Sequence, residues 1–560
     1  MDNYEIADAF SLMGKLMDIH GENSFKSKSY SIAAYHIEKI PEPLAGIEKD
    51  KIAGLKGIGD SSAKKIIELL ETGKLQILQE IIERTPAGIL EMMNIKGIGP
   101  KKIFIIWKEM EIESIGELLY ACQENRLKLY KGFGEKTQQN IIDNIQFYLN
   151  NQGSFLYQQA ELFVPQIKAY LEKLFSPGKV FLTGNFLRQI EIIDELEFVV
   201  NSSNDLIKPK FQSAFPPELL EEKPDCLLYK LTNGLRLRLY TGTDNIQERI
   251  FFKSGATEFT DAFAASFPFF NFNSSDAADD KSIFSLAGIH YIPPFLRETA
   301  TILELAKREV LPEVIQADDI KAIIHCHSNW SDGNDSIEAM AVAAAKKGFE
   351  YLVISDHSKA AFYAQGLSED RIKEQHLYID ELNHKLAPFK IFKSIECDIL
   401  NDGNLDYTDN ILSTFDLVIT SVHSNLKMTE EKAMLRLIKA IENPYCTILG
   451  HMTGRLLLSR KGYPVDHKRI IDACAANNVV IELNAHPRRL DIDWRFIKYA
   501  LEKNVLISID PDSHAIEGYD DIRYGILVAQ KAMLTKKQNL SSFSLPEFEN
   551  FLAFQKLKRK

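Results

Sequence analysis

The residues best suited to chemistry in this chain of 560 lie near its middle, in Ile323-Ile324-His325-Cys326-His327-Ser328-Asn329-Trp330-Ser331-Asp332-Gly333. An apolar run leads into two histidines at i, i+2. On an extended strand that spacing places both imidazoles on one face, and Asp332 follows in the loop. Two imidazoles and a carboxylate at the mouth of a buried strand suit a borderline divalent cation such as zinc or manganese. Taken alone, the tripeptide also fits a strand end carrying two solvated histidines.

The elements that must position such a site recur through the C-terminal half. Tyr351-Leu352-Val353-Ile354-Ser355 runs into Asp356-His357, and Ile391-Phe392-Lys393-Ser394-Ile395 into Glu396 and Asp398. Leu417-Val418-Ile419-Thr420-Ser421-Val422 precedes His423, and Cys446-Thr447-Ile448-Leu449-Gly450 precedes His451. Val479-Val480-Ile481 leads to Glu482, Asn484 and His486, and Val505-Leu506-Ile507-Ser508-Ile509 to Asp510, Asp512 and His514. Helical patterns, such as 336–347 and 430–442, separate most of these runs. Alternating strands and helices predict a parallel sheet, and seven such strands predict a barrel with its chemistry at the strands' C-terminal ends.

HxH followed by SDG, then SDH, a Glu, SVHS, GHMTGR and IDPDSH resembles the PHP (polymerase and histidinol phosphatase) metal-dependent phosphoesterases. The resemblance spans about the last 240 residues and implies a distorted (βα)7 barrel holding up to three divalent metals, zinc, manganese or iron. By the same resemblance, His325, His327, Glu396 and Asp512 would hold one metal. Glu396 would bridge to a second with His423 and His451, and Asp332, His357 and His514 would hold the third. A metal-activated water would be the nucleophile. Arg455 and Lys359, with Arg488 and Arg489 behind them, are candidates to hold a substrate phosphate.

Composition is that of an ordinary soluble protein, 45% hydrophobic and 26% charged, and the length implies several domains. A net charge of −12 argues against a wholesale electrostatic grip on nucleic acid while allowing local basic patches. The six cysteines form no CxxC pair and read as reduced thiols of a cytoplasmic protein. No signal peptide and no membrane span are expected.

Residues 1–150 carry helical periodicity punctuated by three related turns: Leu55-Lys56-Gly57-Ile58-Gly59, Ile95-Lys96-Gly97-Ile98-Gly99-Pro100-Lys101-Lys102, and Tyr130-Lys131-Gly132-Phe133-Gly134. Glycine permits a tight turn, and the helix that follows presents free N–H groups and a positive dipole end to a phosphate. Repetition of that pattern predicts helix-hairpin-helix units gripping the DNA backbone without reading its sequence. The third turn is expected to be structural. The first two, with 23–34, resemble the lyase-like (1–85) and fingers-like (86–150) domains of family X DNA polymerases. That resemblance places Lys65 at the lyase's Schiff-base position, its pKa to be lowered by desolvation or by Lys64.

The resemblance continues through a palm-like segment (151–245) and a thumb-like one (246–312), but the palm's chemistry changes. The family carries G-S-x-R-R, D-x-D and a further Asp, whose carboxylates hold two magnesium ions. Here Gly184-Asn185-Phe186-Leu187-Arg188 stands at the first, Glu195-Leu196-Glu197 at the second, and Arg238 at the third. Magnesium demands tight octahedral geometry, and a fixed cation at short range opposes it by roughly several kcal/mol. Magnesium at the palm is therefore not expected, and polymerase activity is expected to be weak or lost. Glu195 and Glu197 also fit an exposed strand edge. The aromatic run 267–272 is expected in a core, His290 is expected to be structural, and 271–280 reads as a polar loop.

The expected whole is multidomain: all-α helix-hairpin-helix domains, an α+β palm and thumb, and an α/β PHP barrel (320–560). The expected function is metal-dependent phosphoester hydrolysis on DNA, as 3′-5′ exonuclease or 3′-end processing in repair, on primer-template, gapped or 3′-ended DNA. The alternatives are an active polymerase with a proofreading barrel, a histidinol-phosphatase-like enzyme of small molecules, and a non-catalytic DNA-binding protein.

Overall fold

The computed structural model describes residues 1–40, 42–149, 153–211, 217–232, 234–273, 279–308 and 310–559. Part of the polar stretch 271–280 therefore lies outside the described residues. The chain forms two compact units, one of Met1–Gln123 with Leu127–Tyr148, the other of Glu124–Arg126 with Leu149–Lys560.

The first unit is helical, and its three glycine turns share one hydrogen-bond pattern. Ile58 N donates to Leu55 O (3.1 Å), Ile98 N to Ile95 O (3.3 Å) and Phe133 N to Tyr130 O (3.1 Å). Each turn closes on a glycine with positive φ, Gly57 at 81°, Gly97 at 88° and Gly132 at 96°, where a side chain would be strained. The residue between the glycines is buried in every case, Ile58, Ile98 and Phe133, which anchors the turn to the core. The second glycine caps the next helix: Gly59 precedes Asp60–Thr72, and Gly99 precedes Pro100–Phe104, with proline at the first helical position.

In the second unit a five-stranded sheet runs in the order Val180–Thr183, Glu195–Asn201, Arg236–Gly242, Cys226–Lys230, Glu218–Lys223. Only the pair Glu195–Asn201 and Arg236–Gly242 is parallel. Glu195 and Glu197 thus stand on an interior strand, not on the exposed edge their alternation allowed. Helices Ile246–Lys253, Thr257–Ser266, Asp280–Leu286 and Ala300–Arg308 follow, packed around Phe251, Phe259, Phe263 and Phe284. Phe267, Phe270 and Phe272 join that core, but Phe269 is 96% exposed, because only part of a short aromatic turn can face inward.

The C-terminal strands are β1 (Ala322–Cys326), β2 (Tyr351–Ile354), β3 (Lys390–Lys393), β4 (Glu396–Asp398), β5 (Ile419–Ser421), β6 (Ile448–Leu449), β7 (Val480–Asn484) and β8 (Ile507–Asp510). They form two parallel sheets, β3-β2-β1 and β4-β5-β6-β7-β8. Two bridges join the sheets into a ring: His357 to Glu396 at one seam and Cys326 to Ser513 at the other. Since β3 and β4 are two pieces of one interrupted strand, seven strand positions encircle the core. Both faces are apolar: Ile323, Leu352, Ile481 and Ile509 point one way, and Ile324, Val353, Ile448 and Val480 the other.

The five-stranded sheet and the helices after it are fastened to the barrel by buried charge. The Lys531 ammonium donates to Arg188 O (2.7 Å), Phe295 O (3.2 Å) and Glu298 Oε1 (2.8 Å). Glu191 accepts from Trp494 Nε1 (3.1 Å) and from Arg495 (3.0 Å). All six cysteines are free and buried, and no helix of the described residues is long and apolar enough to cross a membrane.

Candidate metal centre

Every strand position of the ring delivers a polar side chain to one end, and the side chains meet at Glu396. Its Oε1 lies 3.0 Å from His423 Nε2, 3.0 Å from His451 Nε2 and 3.3 Å from His325 Nε2. Its Oε2 lies 3.0 Å from His357 Nδ1 and 3.6 Å from His327 Nε2. Asp512 Oδ1 lies 3.1 Å from His327 Nε2 and 3.4 Å from His325 Nε2. Asp332 faces His357 at 3.6 Å and His514 at 3.5 Å. His325 and His327 do converge, with ring centroids 5.3 Å apart, but not by plain strand alternation. The β1–β2 pairing slips between Ile323 and Cys326, and His325 sits at φ 57°, so a bulge re-aims its ring.

The donors fall into three groups compact enough for one cation each: His325, His327, Glu396 and Asp512; His327, Asp332, His357 and His514; and His357, Glu396 and His423. His327 and His357 are each shared between two groups, which the residue-by-residue partition from sequence did not foresee. His451 joins through Glu396 rather than through a group of its own.

The chemistry of the set fits metal. His325 Nε2, His357 Nδ1, Glu396 Oε2, Asp332 Oδ2 and His514 Nε2 are buried and, close as some of them lie to one another, none has a partner at hydrogen-bond geometry among the described residues; buried polar atoms are rarely left so. Burial pushes the Glu396 carboxyl up, yet the imidazoles of His423, His325 and His357 hold it well below the usual carboxylate range. Burial, reinforced by His514 and His357, brings His327 down to about 3, while at His514 burial is overcome by Asp332 together with Glu124 and Asp512, and the imidazole rises to about 10. Three carboxylates, Glu396, Asp332 and Asp512, gathered with six imidazoles in one buried chamber are a donor set that suits divalent cations.

Several strand-end residues read from sequence as possible ligands support the donors instead. Glu482 Oε2 pairs with His325 Nδ1, turning Nε2 toward the chamber, and Glu482 Oε1 accepts from His451 N (3.1 Å) and Asn484 Nδ2 (2.9 Å). Asp398 Oδ1 takes His423 Nδ1 (3.2 Å), and Asn484 also donates to Asp512 Oδ2 (3.0 Å). Such partners fix tautomer and ring orientation. Glu482→Gln is therefore expected to weaken metal binding about 10- to 100-fold, read as the chelator concentration that strips the metal.

The phosphate-binding candidates separate. Arg455 is not available for a phosphate: it donates to Asp493 Oδ2 (2.7 Å), Arg489 O (2.9 Å) and Leu490 O, bracing 489–493 from within. Lys359 is half-exposed and lies 3.7 Å from Glu369. Arg489 Nε sits 3.7 Å from Asp512 Oδ2, at the edge of the chamber. Arg488 is buried, no carboxylate pairs with it among the described residues, and burial alone pulls its guanidinium down to about 10. His486, within electrostatic reach of Arg488, also feels Asp512 and His514, which ties this cationic wall to the metal donors.

In the five-stranded sheet, Arg238 forms a two-pronged pair with Glu195, Nε to Oε1 at 2.5 Å and Nη2 to Oε2 at 3.0 Å, and reaches Glu221 at 3.3 Å. Glu197 accepts from Asn185 N (3.0 Å) and from the Tyr240 hydroxyl (2.8 Å). Arg188 pairs with Glu298 (3.3 Å) and donates to Asn185 Oδ1 (2.6 Å).

In the helical unit, Lys56, Gly57, Gly59, Lys96, Gly97, Gly99 and Lys101 are exposed, while Lys102 folds back to Gly97 O (3.3 Å). The first hairpin is followed by Asp60 and the third by Glu135, acids that oppose a phosphate; the second is followed by Lys101 and Lys102. Lys65 donates to Ser61 Oγ (2.8 Å), and its pKa is lowered by burial and then by Lys26, not by Lys64.

Comparisons with known proteins agree with this layout. Family models match at residues 1–75 (helix-hairpin-helix domain), 89–146 (SAM-like helix-hairpin-helix tandem) and 324–486 (PHP domain). The chain is similar to the DNA polymerase/3′-5′ exonuclease PolX of Bacillus subtilis (strain 168), 29% identical over 99% of both chains. It is also similar to probable phosphatases: one of Thermoanaerobacter sp. (strain X514), 26% identical over 39% of this chain and 89% of the relative, and one of Caldanaerobacter subterraneus subsp. tengcongensis, 28% identical over 25% of this chain and 52% of the relative.

Proposed function

This chain is PolX-like, with helix-hairpin-helix domains and a C-terminal PHP domain, and from that premise we propose that it hydrolyses phosphodiester bonds at DNA 3′ ends while its palm no longer polymerises. The observation that carries the reading is the convergence of six histidines, Asp332 and Asp512 on or around Glu396. Divalent cations bound there would lower the pKa of a water toward neutrality and neutralise phosphate oxygens.

The chain's own residues supply the rest. Glu396, centred among the imidazoles, keeps the donor atoms of β1, β4, β5 and β6 at one point. Glu482 and Asp398 hold His325 and His423 with the correct nitrogen inward. Arg488, charged and unpaired by any described carboxylate, is suited to a substrate phosphate, since a guanidinium matches phosphate geometry with two parallel bonds. The hairpins hold the strand by its backbone, which needs no sequence preference.

The palm geometry supports the second half of the proposal. Two-metal nucleotidyl transfer needs free carboxylates, but Glu195 is neutralised by Arg238, Glu197 is occupied by Asn185 and Tyr240, and Arg188 is held by Glu298.

A 5′-labelled primer-template incubated with manganese, with and without nucleotides, tests the reading. Shortening that is lost in His325→Ala/His327→Ala and kept in Glu195→Ala/Glu197→Ala supports it. Extension lost only in the glutamate variant overturns it, and turnover of a small phosphate ester without any shortening points instead to a metabolic phosphatase. Grip on DNA is a separate matter. Lys101→Ala/Lys102→Ala is expected to weaken DNA binding regardless of sequence and to flatten the slope of log affinity against log salt by about 1 to 2, whereas Lys56→Ala has the smaller effect because Asp60 already offsets it.

A further inference from the structure

One loop at the metal centre presents an aromatic ring to water. Loop 358–367 leaves the chamber just after His357 and returns through the Ser358–Leu367 bridge, with Leu367 N donating to His357 O (2.8 Å). Side chains from 406–407 pin it from below. Lys359 N donates to the Tyr407 hydroxyl (3.0 Å), that hydroxyl donates to Leu367 O, and Ala360 N donates to Asp406 Oδ2 (2.6 Å). Gly366 packs so tightly that an added Cβ would lie 1.9 Å from Ser358 O.

From this fixed loop Phe362 stands 81% exposed. The next residue, Tyr363, has its ring centroid 5.9 Å from that of Phe362 at an interplanar angle of 76°. Tyr363 is half-buried, with the Arg126 guanidinium 4.3 Å from its ring centroid, and lies within electrostatic reach of His423 and Asp398. Lys359, on the same loop, keeps a cation near the surface. A phenylalanine on a slack loop would fold onto apolar neighbours. Held out by a pinned backbone, on a loop that starts at His357 and returns to it, it is a preformed flat surface beside a phosphate-cleaving centre.

We propose that Phe362 is the stacking platform for the 3′-terminal nucleobase of a DNA strand whose last phosphodiester lies at the metal centre. This rests on the phosphodiesterase reading above. Every base has a π face, so stacking there positions a 3′ end without selecting its sequence. Lys359 offers a charge to the backbone of the same strand, which an apolar protein partner would not need.

Two measurements on the full-length chain test this. In the first, shortening of a single strand is followed for wild type, Phe362→Ala and Phe362→Trp, on strands ending in a normal base or in an abasic spacer. Phe362→Ala is expected to raise KM about tenfold with little change in kcat, Phe362→Trp to keep the wild-type value, and loss of the terminal base to cost wild type about tenfold but Phe362→Ala nothing further. In the second, a strand carries 2-aminopurine at its 3′ end behind a methylphosphonate linkage that cannot be cut. Its fluorescence is expected to be quenched on binding wild type and not Phe362→Ala. Equal KM for wild type and Phe362→Ala, or equal quenching, overturns the proposal while leaving cleavage intact. Quenching that depends on Phe362 in a protein that shortens no strand supports the platform and overturns the phosphodiesterase reading instead.

Discussion

Glu396→Gln is expected to abolish strand shortening, by about a thousandfold or more, and to lower the metal content of the purified protein. Four imidazole nitrogens lie within 3.3 Å of its two oxygens, and two of the three donor groups contain it. An amide is nearly isosteric, but it has one carbonyl oxygen where the carboxylate has two, and its N–H₂ would face imidazole nitrogens needed as acceptors. The negative charge that draws cations into the chamber is lost as well. Elemental analysis and the unfolding temperature with and without manganese are the readouts. Wild type should gain stability from saturating metal as any protein does from a ligand of its folded state, and the variant should gain much less. DNA affinity, resting on the hairpins, should change little. A variant that retains wild-type metal content and shortening would place the centre elsewhere.

The second large effect concerns the palm. Wild type is expected to extend no primer in magnesium, and Arg238→Ala to extend none either, since freeing Glu195 restores only one carboxylate, one methylene too long. What Arg238→Ala should change is stability, by about 2 kcal/mol, because Glu195 loses the guanidinium that pairs with it across two neighbouring, mostly buried side chains. Glu195→Ala/Arg238→Ala should then cost less than the two single changes together, with a coupling of about 1–3 kcal/mol in denaturant unfolding. Additive losses would mean the pair is not the structural clasp its geometry indicates. Primer extension by wild type that disappears in Glu197→Ala would show that the palm still holds magnesium.

The two halves of the chain differed in how much their residues disclosed. The hairpins were legible because their physics is local: a glycine at positive φ, a buried residue, a second glycine and a helix start all fall within a few positions, and the pattern repeats. The apolar runs ending in His, Asp or Glu announced a parallel sheet for a similar reason, since a strand buried on both faces has only its end to offer to chemistry. The interior placement of Glu195 and Glu197 was not legible, because period-two alternation looks the same on an edge strand and on a central one. Arg455 misled because a guanidinium near a ligand motif has the same spelling whether it faces substrate or braces a loop.

By itself, the sequence determined which residue types could gather and which segments would carry them, because periodicity and glycine turns act over a few residues. Only the tertiary structure decided that Glu482 steers His325 from 157 positions away, that His327 and His357 are shared between donor groups, that Arg488 is buried with no carboxylate against it among the described residues, and that Phe362 is held out in water. Those outcomes depend on which strand ends and loops pack side by side once the ring closes, and neighbours of that kind are set by the packing of the whole barrel.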